Sequence, residues 1–135
     1  MPAPSSFEYA VLRVVPRVDR EEFVNAGVLL YCRERDFLAA RVELDRERLL
    51  ALCPDVDLAL AEEHLAAVPR VCAGGEGAGP IGRLPLAERF RFLAAPRSTM
   101  VQAGPVHAGL CQDPGRALDA LLEKVVRVRA TTRGP

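Results

Sequence analysis

The chain has 135 residues, half of them hydrophobic and 27% charged, with 18 acidic against 18 basic side chains. A length of this order suits one domain with a core of its own, and the hydrophobic content argues against an intrinsically disordered chain. Zero net charge lacks the electrostatic footprint of a general DNA or RNA binder, so no nucleic-acid partner is expected.

Phe7 to Val15 is rich in β-branched and aromatic residues and stops at Pro16, the pattern of a first strand. Tyr9, Val11, Arg13 and Val15 share one of its faces, so Arg13 needs a partner on a side otherwise fit for burial. Asp19 to Phe23 reads as a short helical turn, which Asn25, Ala26 and Gly27 break. Val28 to Arg33 is continuously hydrophobic and predicts a central strand. Glu34-Arg35-Asp36 is a hairpin-length turn into a third strand over Phe37 to Leu44. Asp45 caps a short helix over Arg46 to Leu52. Asp55 or Asp57 caps a longer one to about Val68, where Pro69 is expected to end it.

Ala73 to Gly82 holds five glycines and a proline and predicts a mobile loop. Leu84 to Leu93 fits a helix through Leu86, Phe90 and Leu93 and a strand through Phe90 and Phe92, so its state over residues 84–97 stays open. Ser98 to Leu110 carries strand-type residues interrupted by Gly104-Pro105, as one bent edge strand or a loose two-strand unit would. Asp113-Pro114 starts the last helix, with Leu118, Leu121, Leu122 and Val125 as its apolar stripe. The expected fold is α+β, an antiparallel sheet of about four strands with three helices packed mainly on one face. Residues 7–128 make the single domain, and 1–6 and 129–135 are expected as disordered tails.

Met1 to Ser6 has neither the basic start nor the apolar run of a signal peptide, and no stretch approaches the roughly 20 apolar residues of a membrane span. A cytoplasmic protein without a membrane partner is the expectation. Cys32, Cys53, Cys72 and Cys111 contain no C-x-x-C spacing and sit among apolar neighbours, which predicts buried, reduced thiols. With two histidines 43 residues apart and no paired-ligand motif, neither a metal nor another cofactor is expected.

The glycine-rich stretch matches no phosphate-cradling motif: it carries an acid and no lysine. No G-x-S-x-G is present either, so Ser98 or a thiol with His107 or His64 is no more than a set of single residues. What stands out is polar side chains on apolar elements. Arg13 with Glu22 could be a buried ion pair, and Asn25 could bond nearby backbone. The functional alternative is a polar groove built from Arg13, Glu22, Asn25, Arg41, Arg97, Ser98 and His107, in which the arginines hold an anion and His107 serves as acid or base. Of 18 basic residues only Lys124 is a lysine, and arginine suits bidentate oxyanion contacts, although a GC-rich coding sequence gives the same bias.

Two stretches carry a family resemblance: Phe7 to Pro16 followed by Glu22 to Leu30, and Arg89 to Leu93 through Pro96 to Gln102, Pro105 to His107 and Asp113-Pro114. Over about residues 7 to 127 the chain resembles the bacterial family called domain of unknown function 3037; Met100 and Ala103 depart from its pattern. The resemblance brings no established activity. It implies a small bacterial protein, sometimes encoded near a kinase-like protein of the HipA type. A non-enzymatic accessory module that binds a protein partner, such a kinase-like protein among them, or a second copy of itself is therefore the leading expectation. The alternative is a small enzyme or anionic-ligand-binding domain using the polar groove.

Overall fold

Alternating burial along Ser5–Val14 makes the first strand, β1: Phe7 faces one side of the sheet, while Ala10, Leu12 and Val14 face the other. The computed structural model describes residues 3–127. The expected tail at 129–135, residue 128 and the first two residues of the chain lie outside the described residues. Ser5 and Ser6, expected as tail, belong to β1, because they pair with Cys111 and Leu110. Ser5 is buried, and its hydroxyl accepts from the Arg35 guanidinium at 2.9 Å.

Val24–Cys32 forms β2 and Phe37–Val42 forms β3, joined by the four-residue turn in which Asp36 takes a left-handed conformation (φ 51°). Both pairings, β1 with β2 and β2 with β3, are antiparallel. As its hydrophobicity requires, β2 is central: Val28, Leu29 and Leu30 are completely buried although they point to alternate faces. The ladder slips once. Leu12 lies opposite Gly27 and Arg13 opposite Asn25, so Ala26 is the extra residue of a bulge. Gly27 is required there, since a Cβ would lie 2.7 Å from the Arg41 carbonyl oxygen.

Val101–Ala103 (β4) and His107–Cys111 (β5) both pair with β1, β4 beside Leu12 to Val14 and β5 beside Ser5 to Tyr9. They are two halves of one edge, bent where Gly104 donates to the Val11 carbonyl at 2.8 Å. The five-stranded sheet therefore runs β3, β2, β1, then β4 and β5 along the outer side of β1.

Four α-helices cover it, one more than expected. Arg46–Leu52 (α1) begins at Asp45, whose carboxylate accepts from the Arg48 amide; Leu58–Ala73 (α2) begins at Asp57, which accepts from the Leu60 amide. Asp57 rather than Asp55 is thus the cap. Pro69 does not end α2. The buried series Ala61, Leu65, Val68 and Cys72 continues across it, and the terminal carbonyls of Val71 and Cys72 accept from Arg89, at 3.1 and 2.7 Å. Burial of a stripe that long outweighs the hydrogen bond a proline removes.

The glycine-rich stretch, expected as a mobile loop, folds into two short 3-10 turns at Glu76–Ala78 and Pro80–Arg83. Leu86–Ala94 is a helix, α3, with Phe90 and Leu93 inward, which decides the open segment. Pro114–Val125 (α4) is capped by Asp113 as read from the sequence. Helices α2 and α3 pack on Leu12, Leu29, Leu38 and Ala40, and α1 joins them through Leu49 against Val14 and Leu65. Alone on the opposite face, α4 sets Leu118 and Leu122 against Phe7, Val28 and Leu30. Burying each of those leucines stabilises the fold by about 1.5–3 kcal/mol. No helix among the described residues is long and apolar enough to cross a membrane.

Candidate functional site

The bulge in β2 organises the surroundings of Arg13. It brings Asn25 opposite Arg13 on one side, while Gln102 of β4 pairs with it on the other. Helix α4 covers the β2 side of this face, leaving the Arg13 side to short loops. The expected ion pair with Glu22 does not form. Glu22 turns to Arg20 at 2.7 Å on the surface, and that guanidinium holds its carboxyl below the usual carboxylate range. Arg13 instead stacks on the Phe23 ring, 4.2 Å from its centre. Gly104 lies beside it, close enough that a Cβ there would make ordinary van der Waals contact with the guanidinium carbon at 3.6 Å. Buried in this way, the Arg13 Nε has no hydrogen-bond partner. A buried donor without an acceptor costs on the order of 1–3 kcal/mol, so it is a cost carried by the site.

Arg97 arrives from the opposite direction. Pro96 ends the run after α3, and the Arg97 guanidinium lies over the Phe92 ring at 4.6 Å and donates to the Phe92 carbonyl. Neither Arg13 nor Arg97 forms an ion pair among the described residues. Gln102 is held between them, its amide donating to the Thr99 carbonyl at 2.9 Å.

The two arginines and Gln102 line a groove on each of their sides. One, of about 460 Å3, continues along Gly104, Pro105 and Val106 and includes no carboxylate. The other, of about 470 Å3, runs past Ser98 and Phe23 and also contains Asp19 and Glu21. Two guanidinia with a side-chain amide can bind an oxyanion by parallel N–H donation, and the side free of carboxylates is where an anion is least opposed.

Of the seven residues singled out from the sequence, Arg13, Arg97 and Ser98 come together. The other four do not join them. Glu22 is taken by Arg20. Asn25 donates to the Val125 carbonyl at 3.1 Å and fastens the end of α4, a distant backbone partner in place of the nearby one expected. Arg41 pairs with Asp119 of α4 at 3.3 Å. His107 packs on Tyr9, its partner across the ladder, at 5.2 Å between ring centres. Since Tyr9 precedes Arg13 by four residues, the imidazole stands about 13 Å along the strand from the arginine, which takes the acid or base out of the groove.

The thiols are equally remote from such chemistry. All four are free and buried, and burial pushes Cys72 up to about 12 from an ordinary value of 9.0. A thiol held protonated is a poor nucleophile. Sequence reasoning missed Phe92 as the platform for Arg97 and Gly104 as the neighbour of Arg13. The available signals are the aromatic Phe92 five residues before Arg97 and the Gly104-Pro105 break in a strand-like segment.

A family model described as "Protein of unknown function (DUF3037)" matches residues 9–126. No curated protein and no solved structure matches the chain at a significant level.

Proposed function

The chain belongs to the DUF3037 family, and from that starting point we propose that it is a non-enzymatic binding domain for a small ligand carrying an oxyanion, a carboxylate or phosphate, held by Arg13 and Arg97. The observation that carries this reading is the convergence of two arginines without ionic partners on a groove free of carboxylates, one with a buried, unpartnered Nε. Folding has already oriented both guanidinia on aromatic rings. Little side-chain entropy is left to lose on binding, which favours affinity. A binding role is favoured over a catalytic one by what lines the groove beside Arg13: amide, glycine and proline, with His107 and the thiols held elsewhere.

Calorimetric titration of the chain with phosphate, sulfate and acetate tests the reading. The expectation is saturable binding, weakened at least tenfold by Arg13→Gln and by Arg97→Gln, and a stabilisation of about 2.7 kcal/mol at a ligand concentration 100 times the dissociation constant. Equal binding by the wild type and the double variant would remove the site.

A second reading, the accessory module with a protein partner, is supported by one observation. Among the described residues β5 is paired on one side only, and Leu110 on it is 72% exposed. An open edge of this kind accepts an added strand from a partner or a second copy. The HipA-like kinase implied by the family resemblance is the partner to try first. Leu110→Lys is expected to abolish such association, measured by light scattering and by titration with the purified kinase, while leaving folding within about 0.5 kcal/mol. Association unaltered by the lysine would remove β5 from the account.

A further inference from the structure

Between α2, α3 and β4 lies a pocket of about 260 Å3 whose walls are Leu12, Val68, Val71, Leu93, Val101 and Ala103. No carboxylate lines it; the ionisable side chains at its rim are His64 and Arg97. Arg97 and Gln102 belong both to this pocket and to the groove beside Arg13, so the two spaces adjoin around the same pair of side chains. An apolar pocket offers water too few hydrogen-bond partners to hold it firmly, whereas an apolar group gains by entering.

We propose that the ligand is amphipathic: an oxyanion head on Arg97 and Gln102, with a short apolar tail in the pocket between α2 and α3. The assignment rests on the oxyanion reading above and extends it to a ligand class. Charge complementarity fixes the orientation, because the cationic rim lies at the mouth and the interior carries no charge. Size limits the tail. An apolar cavity of about 150 Å3 takes one benzene molecule, so the pocket has room for a phenyl ring or a chain of roughly six carbons. Phe92, stacked beneath Arg97, forms part of the same wall, which ties the position of the head to the shape of the tail's site.

The test is calorimetry on the full chain with linear carboxylates from acetate to octanoate, and with alkyl phosphates of matching length. The expected result is a gain of about fourfold in affinity per methylene, levelling off near six carbons. Whichever series binds tighter identifies the head group. Ala67→Phe, at an exposed position of α2 that lines the pocket, is expected to flatten the rise.

Intermolecular nuclear Overhauser effects from the octanoate chain to the methyls of Val68, Val71 and Leu93 give the same answer without a variant. Binding of acetate or phosphate with no gain along the series would overturn the tail and leave the oxyanion groove standing. No binding at any length would overturn both. Octanoate affinity undiminished by Arg97→Gln would overturn the placement of the head.

Discussion

At the scale of single residues, burial decides which polar groups are available for chemistry and which are spent on structure. Cys72 shows the first effect in a titratable group. Burial is the largest influence on its thiol and raises it to about 12, against a smaller downward pull from the Arg89 guanidinium. The folded state therefore keeps a proton that the unfolded chain releases above about 9. The stability due to that difference is fully present below pH 9 and is lost as pH rises toward 12. Urea unfolding between pH 8 and 10.5 is expected to show the wild type losing stability more steeply than Cys72→Ala; parallel slopes would contradict the burial account. Asn25, half-buried, shows the second effect, and Arg41 is committed in the same way by a surface ion pair. Each had the right chemistry for a groove, and each is tied to α4. Sequence alone could name such residues but not assign their partners, because Val125 is 100 positions from Asn25.

At the scale of elements, local signals proved reliable where they act locally. The caps Asp45 and Asp113 and the turn before β3 were legible, and the cap of α2 was narrowed to Asp55 or Asp57, because each is settled by side chain and backbone within three or four residues. For α4 this makes a prediction. Asp113 accepts from the amides of Gly115 and Arg116 at 3.0 and 3.3 Å, so Asp113→Ala is expected to cost about 1 kcal/mol in chemical denaturation. A loss below about 0.3 kcal/mol would mean that the packing of Leu118 and Leu122 holds the helix start unaided. Where tertiary packing competes with a local signal, the sequence misled. Pro69 reads as a stop, yet the buried stripe of α2 and the two hydrogen bonds of Arg89 to the Val71 and Cys72 carbonyls carry the helix four residues past it. Leu84 to Leu93 could not be decided from its pattern, since only the hydrophobic surface opposite, from Leu12, Leu29 and Tyr31, selects the helical face. The edge formed by β4 and β5 was half legible: the break at Gly104-Pro105 was visible, its place beside Arg13 was not.

At the scale of the whole molecule, helices on both faces of a five-stranded sheet leave one stretch of β1 without a helix above it, and there the sheet offers a cation. The groove arises from topology. Arg13 comes from the first strand, and Arg97 and Gln102 from a segment more than 80 residues later that returns to the same edge. That pairing is why the sequence could list the arginines but could not show that Arg13 and Arg97 meet while Arg41 does not. Zero net charge is compatible with a local positive site, because none of the carboxylates that match six other arginines within 4.0 Å lines this groove. The most direct check is to follow the Arg Nε–H resonances in a nitrogen-15 labelled sample while phosphate or acetate is added. The Arg13 and Arg97 signals are expected to shift in a saturable manner with one common dissociation constant, while those of Arg46 and Arg127, already paired with Glu62 and Glu43, stay in place. Shifts spread evenly over all arginines, or an Arg13 signal unmoved at saturating anion, would contradict the account.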